Sequence, residues 1–397
     1  MFISKRVQSI KPSPTLAIDA KAKALQQSGV DVVSFGAGEP DFNTPSNVKK
    51  AAVEAINNNF TRYCPVPGTP DLKNAIINKL KKDNNLNYTP EEIIVSCGAK
   101  HSLYNLFQAI FNDGDEIIIP TPYWVSYPDM AILAGAIPIY IKTEDKNNFK
   151  IDPTAIEKVI TEKTKAIVIN SPSNPTGATY TIEELKAIAQ ICIDNKILMI
   201  SDEIYEKLVY DNFKFFSIAS VLPEAKDYTV VINGVSKAYA MTGWRIGYAA
   251  GAKEIISAMT KIQSQSTSNA TSIALKAAAE ALNGDQEEVE KMRKEFEKRR
   301  DYIVERLNKM EGVSCLKPSG AFYVFPNISN LLGKTYNGKT INNDTEFSEY
   351  LLETAKIAVV PGSAFGAEGY IRLSYATSKE LIKEGMDRLE KAISNNK

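Results

Sequence analysis

The sequence predicts an α/β protein: a large domain with a mostly parallel, seven-stranded sheet covered by helices, plus a smaller α+β domain. Three observations predict it. Between Glu92 and Gly251 seven short β-branched or small apolar runs recur, most of them separated by helical patterns, as a parallel sheet with crossover helices requires. Past Gly312 the pattern changes to short strands with only two helices. Four of the seven runs end in polar, Gly- or Pro-bearing loops, and parallel strands set such ends along one sheet edge.

Taken in order, Lys11-Pro-Ser-Pro-Thr15 reads as an extended arm before a helix from Leu16 to Gln27, closed by Ser28-Gly29. Strand Asp31 to Phe35 turns out through Gly36-Ala-Gly38-Glu-Pro40-Asp41. Pro40 and Asp41 stand where a dinucleotide fingerprint needs its third glycine, so that motif is rejected. Helices follow over Pro45 to Asn58 and Asp71 to Lys82, separated by the stiff loop Tyr63 to Gly68.

The seven sheet strands read as Ile93 to Cys97, Glu116 to Ile119, Ile137 to Ile141, Lys165 to Asn170, Ile197 to Ser201, Thr229 to Ile232 and Tyr248 to Gly251. Helices between them cover His101 to Phe111, Tyr127 to Leu133 and Ile182 to Asp194. The segment from Gln286 to Lys309 is so charged that it reads as a solvated helix connecting two domains. The last part gives strand Ala321 to Phe325, helix Thr345 to Lys356, strands Ile357 to Val360 and Tyr370 to Tyr375, and helix Lys379 to Ser394. The expected domains are 1–45 as an arm and part of the small domain, 46–300 as the large domain and 301–397 as the rest of the small one.

Composition narrows function. The 397 residues carry 47 basic and 47 acidic side chains, a formal balance that leaves no broad basic footprint for nucleic acid. No apolar run is long enough for a bilayer, and Met1 to Arg6 lacks a secretory pattern, so a cytoplasmic location is expected. Four scattered cysteines without a CxxC pair and a single histidine, His101, point to neither a disulfide framework nor a metal site. The expected ligands are small molecules.

The four loops are Gly98-Ala-Lys100, Ser171-Pro-Ser-Asn174-Pro-Thr-Gly177, Asp202-Glu-Ile-Tyr205 and Gly234-Val-Ser-Lys237. Asp202 ends an apolar strand, where a lone carboxylate is costly and calls for a cationic partner. A pyridinium would serve, and an aldehyde on the same ring would be the electrophile for the Lys237 amine. Arg245, eight residues on and flanked by Gly243 and Gly247, suits a phosphate fork.

Together, Asn-Pro-x-Gly, Asp-x-x-Tyr and Ser-Lys-x7-Arg, in that order, resemble the fold-type I pyridoxal-phosphate enzymes, specifically the aspartate aminotransferases of class I, subgroup Ib, over essentially the whole chain. The resemblance implies pyridoxal 5'-phosphate bonded to Lys237, with Asp202 on its ring nitrogen and Asn174 and Tyr205 on its phenolic oxygen. It implies Arg245, Ser236 and the amides of Gly98 and Ala99 on the phosphate, and Trp124 stacked on the ring. It further implies Arg372 and Gly38 for the substrate α-carboxylate, and Lys100 for a distal carboxylate. Lys11, Ser13 and Thr15 would close over the substrate, Lys11 in some relatives accompanying use of prephenate.

Tyr63 would reach the phosphate of a neighbouring subunit, and Gln263 to Thr267 would face it, which implies a homodimer with shared sites. One departure is Gly234, where many members carry a phosphate-binding serine. The implied reaction is ping-pong transamination of aspartate with 2-oxoglutarate. Aromatic-substrate transamination, β-lyase chemistry and a non-catalytic cofactor-binding protein remain the alternatives.

Overall fold

The computed structural model describes residues 2–12 and 14–394. Its centre is a seven-stranded sheet made of β2 (Ile93–Ser96), β3 (Glu116–Thr121), β4 (Ile137–Lys142), β5 (Thr164–Asn170), β6 (Leu198–Asp202), β7 (Thr229–Gly234) and β8 (Gly247–Ala250), in the order β2-β8-β7-β6-β5-β3-β4. β8 runs antiparallel to both neighbours, and the other six strands share one direction. The carboxyl ends of β2, β5, β6 and β7 therefore lie on one edge, as the loop pattern requires.

Both sheet faces are buried, which explains runs that are apolar at successive positions. Ile94, Ile119, Val168, Ile200 and Ile232 pack against α5 (Ala99–Ile110), α6 (Ser126–Leu133) and α9 (Lys253–Ser264). Ile118, Ile167, Ile169 and Met199 pack instead against α8 (Ile182–Asp194), whose start is set by a Thr181/Glu184 capping box. Near the β2 edge Val95, Val231 and Tyr248 meet α3 (Ser46–Asn57), α4 (Pro70–Asn84) and α10 (Ser272–Asn283).

The smaller domain combines the antiparallel sheet β13 (Val360–Pro361), β14 (Ile371–Ser374) and β9 (Tyr323–Val324) with α13 (Lys379–Ser394). β1 (Val33–Ser34) pairs in parallel with β12 (Ile357–Ala358), bringing the N-terminal region to this layer. We propose 46–300 as the large domain and 1–45 with 301–397 as the other; the β1–β12 pairing supports that division.

Three expectations change. Pro14 already begins α2 (Pro14–Gln27), with α1 (Lys5–Gln8) before it, so Thr15 lies in a helix and not in an extended arm. A proline fits a first helical position because that N–H needs no helical partner. The predicted helix over Thr345 to Lys356 is an α-turn segment, α12 (Asp344–Tyr350), followed by a π-helical turn at Leu351–Ala355.

The third is α11 (Glu287–Asn308), which is not solvated all round. It buries Val289, Met292, Phe296, Ile303, Val304 and Leu307, and with them the charged Arg299 and Arg300. Ion pairs make those burials tolerable. Arg299 meets Asp41 at 2.7 Å, and Arg300 meets Asp211 and Asp301, each at 2.7 Å.

Candidate active site

At the carboxyl edge of the sheet lies a cavity of about 490 Å³. Its wall includes Gly38, Ala99, Lys100, Trp124, Asn174, Asp202, Tyr205, Ser236, Lys237, Arg245 and Arg372, with Thr15 at its margin. Residues spread over more than 350 positions meet there, because each stands just past a strand end or on the facing layer.

Lys237 leaves β7 through a two-residue loop, and its Nζ donates to the Gly38 carbonyl at 2.5 Å. Burial first, then Arg372 and Arg245, push its pKa down to about 8, opposed by Glu39 and Asp202. The neutral amine, which a nucleophile and proton carrier needs, is thus far more accessible near neutrality than for an ordinary lysine.

Asp202 is buried at the end of β6. Tyr127 Oη donates to its Oδ2 at 2.6 Å, and the Ile204 amide to Oδ1 at 3.3 Å. Burial nevertheless raises its pKa to about 6. Among the described residues no cation lies within ion-pair distance, so the carboxylate is oriented but not neutralised. A pyridinium nitrogen fits that requirement.

Arg372 is 2% exposed in β14 and, among the described residues, faces no carboxylate, which removes a cross-strand salt bridge as its explanation. Nη1 donates to Asn174 Oδ1 at 3.0 Å, Nη2 to the Gly36 carbonyl at 2.7 Å, and Nε has no partner among the described residues. The guanidinium lies 4.6 Å from the Tyr323 ring centroid and 5.1 Å from that of Phe365. A buried fork held between aromatic faces is suited to a planar carboxylate.

Opposite, Gly98 caps α5 with φ +92°, directing the first helix amides at the cavity. A Cβ at Gly98 would collide with the Arg245 guanidinium, and one at Gly247 with the backbone of Gly98 and Ala99. The two glycines let a cationic fork and a helix N-terminus share one spot, the donor set for a phosphate. Arg245 itself is steadied by Thr242 and Cys97 carbonyls, at 2.8 and 3.2 Å. Gly234 also has a steric reason: its Cβ would lie 2.9 Å from the Ile246 carbonyl and 3.0 Å from Gly247 Cα. A serine there would push the loop away from β8.

Trp124 stands edge-on to Tyr127, with centroids 5.2 Å apart, and Lys100 Nζ sits 4.8 Å from the Trp124 ring centroid. The Tyr205 hydroxyl is 2.8 Å from that of Tyr323.

Two expectations, for Lys11 and Gln263, change. Lys11 does not line the cavity; its backbone N–H approaches the Asp129 carboxylate. Tyr63, expected at a neighbouring subunit's phosphate, is 93% exposed and does not line this chain's own cavity. Gln263, expected to face a subunit, is fully buried and donates to the Val66 and Val95 carbonyls, each at 2.8 Å, whereas Ser264 to Thr267 are exposed. Its amide satisfies backbone groups that the 63–68 loop and β2 leave open. Ser13 lies outside the described residues.

Several wall residues carried no clear signal in the sequence. Tyr127 and Tyr323 look like ordinary core aromatics. Asn170 accepts from the Asn174 amide and donates to the Asp202 carbonyl, tying two site loops together, but its position at a strand end was the only hint. Glu39 reaches Thr242 Oγ1 at 2.9 Å, from the turn that also carries Gly38.

This fold and site define a pyridoxal-phosphate transferase, and residues 30–389 match the family described as aminotransferase class I and II, to which the chain belongs. Among curated relatives, it is 52% identical to an aspartate aminotransferase of Bacillus sp. (strain YM-2), covering 99% of each chain. It is 53% identical to a probable aspartate/prephenate aminotransferase of Rickettsia bellii, covering 98% of each. Among solved structures, the aspartate aminotransferase of Rhizobium meliloti superposes with a TM-score of 0.97 at 43% identity over the full length of both chains. That of Thermus thermophilus with maleate gives 0.93 at 44% identity, covering 99% of this chain and 100% of that one.

Proposed function

We propose that the protein transfers the amino group of L-aspartate to 2-oxoglutarate, working by alternate half-reactions at this cavity. The observation that carries the reading is the pair of cations bracketing Lys237: buried Arg372 with an unused Nε–H on one side, and Lys100 over Trp124 on the other. A substrate carrying two carboxylates meets one cation at each end. The maleate held by the Thermus relative, itself a dicarboxylate, supports the same class of ligand.

Bound pyridoxal phosphate supplies an aldehyde for the amine and a protonated ring that withdraws electrons from the substrate's α carbon. The protein's residues do the rest. Asp202 would keep the ring nitrogen protonated, its carboxylate oriented by Tyr127. Asn174 and Tyr205 would donate to the ring oxygen. Arg245, Ser236 and the Ala99 amide would hold the phosphate. Arg372 grips the α-carboxylate, and its bond to Asn174 couples that grip to the ring. Lys237 would take the α proton and return it two bonds away, to the carbon that the cofactor's aldehyde supplies, a transfer within reach of one flexible amine.

The deciding experiment is the visible spectrum of the holoenzyme. Aspartate should bleach the bound-aldehyde band, and 2-oxoglutarate should restore it; no response to aspartate at millimolar concentration would defeat the reading.

Prephenate as a second acceptor is favoured by the name of the Rickettsia relative at 53% identity. Restoration of the same band by prephenate is its test.

We further propose a homodimer in which Tyr63, exposed on one chain, completes the phosphate site of the other. Its exposure, with Val53 and Ile56 also exposed on nearby α3, supports this.

A further inference from the structure

Behind the cavity wall lies a buried polar cluster that no step above uses. Glu206, one residue past Tyr205, is buried and ion-paired with Lys79 of α4. Its two oxygens also accept from Asn84 Nδ2 at 2.8 Å and from Asn233 Nδ2 at 2.9 Å. Lys79 donates in addition to Asn84 Oδ1 at 2.7 Å. Asn233 lies in β7, four residues before Lys237, and its own Oδ1 accepts from the Gly234 amide at 2.7 Å.

One carboxylate therefore ties together the two segments that carry the site. The end of β6 and the turn after it hold Asp202 and Tyr205, and the loop after β7 holds Ser236 and Lys237. The backbone ladder stops where they begin: Asp202 is the last β6 residue in register with β7, opposite Ile232, and the Glu203 amide still reaches the Ile232 carbonyl at 2.9 Å. Beyond that point, among the described residues, no backbone hydrogen bond joins the two loops. Side chains must set their spacing. Glu206 and Asn233 supply the side-chain hydrogen bond that bridges it, and the amide of Asn233 cannot turn over without giving up Gly234.

We propose that Glu206, acting through Asn233, is a positioning residue that sets the distance between Asp202 and Lys237. The neighbouring carboxylate supports a structural division of labour. Glu203 Oε1 accepts from Ser201 and Ser217 hydroxyls, its Oε2 has no partner among the described residues, and burial with the nearby Glu206 raises its pKa to about 7. The ammonium of Lys79 pairs with Glu206 and not with Glu203, and the two Glu206 oxygens hold one amide each, from Asn84 and Asn233. The inference rests on the roles given above to Asp202 and Lys237.

Glu206→Ala strands the Lys79 ammonium and threatens the fold itself, so the deciding variant is Asn233→Ala, which leaves the Lys79–Glu206 pair in place. In the holoenzyme it should lower kcat with aspartate about tenfold, with KM changed less than about twofold, because misplacement of reacting groups acts on the chemical step. The pH midpoint of the bound cofactor's visible band, which reports Asp202 and Lys237 directly, should move by about half a unit or more. A fall in thermal midpoint with kcat and spectral midpoint unchanged would assign the cluster to stability alone and overturn the proposal, as would no change in any of the three. A parent enzyme whose spectrum ignores aspartate would overturn the assignment of the site and this inference with it, whereas a responsive parent and an unaltered variant would overturn this inference alone.

Discussion

Asp202 and Lys237 are each held in the protonation state that folding alone would not choose. For Asp202 the folded pKa, near 6, stands above the ordinary 3.8. A carboxyl raised in this way supports the fold below the lower value and loses that contribution as pH rises through the upper one. In the cofactor-stripped protein, Asp202→Asn should therefore raise the thermal midpoint at pH 7 to 8, with the difference shrinking as pH falls from about 6 to 4. The same change should cut turnover by about 10²-fold or more, measured as kcat of the loaded enzyme, because an amide cannot balance a ring cation.

Lys237 carries the opposite sign. Its folded pKa, about 8, lies below the ordinary 10.5, so the unfolded chain binds the extra proton between those values and stability rises with pH across that window. Lys237→Met should raise the thermal midpoint of the stripped protein most at pH 8 and below, and the gain should fade toward pH 10.5. Lys237→Ala should lower kcat by about 10⁴-fold or more while the cofactor still binds, as measured by absorbance after gel filtration. At these two residues the sequence was easiest to read, since a polar group at the end of an apolar strand has few structural uses. Tyr127 and Tyr323 were opaque for the converse reason: an aromatic ring belongs in a core, and only tertiary contact tells whether its hydroxyl does something there.

Elements were legible where a period was clean and both faces found partners. The seven strands could be read because β-branched runs buried on two faces leave little else for the chain to do. Helix α11 misled because charge was taken for exposure. Arg299 and Arg300 are buried through long apolar stems, with acids from remote loops at their ends, and such partners have no sequence signature. The apolar stripe beside them makes the point testable. Phe296 is fully buried, with ring centroids 5.3 Å from Phe42 and 5.4 Å from Phe322. Phe296→Ala should cost about 3–5 kcal/mol in denaturant unfolding, whereas a solvated helix would lose almost nothing. Gly247→Ala tests the meeting of β8 with α5. It should destabilise by about 1–3 kcal/mol through overpacking and weaken cofactor binding, read by equilibrium dialysis.

For the whole molecule, the arrangement of six co-directional strands followed from alternation alone, but the position of β8 between β2 and β7 did not, because nothing in a strand's own residues states which neighbours it joins. Subunit contacts were hardest to read. Gln263 and its exposed neighbours looked alike in sequence, yet one is a buried strut and the others face out. Under the proposed homodimer, mixing Lys237→Ala chains with Tyr63→Ala chains should regain activity that neither shows alone at full strength, since one site in each mixed pair then has both residues intact. Activity measured after dissociation and re-association would check this; a mixture no more active than the mean of its parts would count against shared sites.

Gly36 and Gly38 give the site one more property. Their carbonyls accept from Arg372 and Lys237, so a single short loop touches both groups that substrate must engage. Whatever carboxylate claims the Arg372 fork competes with Gly36, and whatever amine chemistry claims Lys237 frees Gly38. The same loop is pinned beyond the site by Asp41 to Arg299 and by Glu39 to Thr242. Occupancy is therefore written into the backbone amides around 36–38, whose hydrogen exchange would serve as a built-in gauge of turnover, sensing ligand without any added dye.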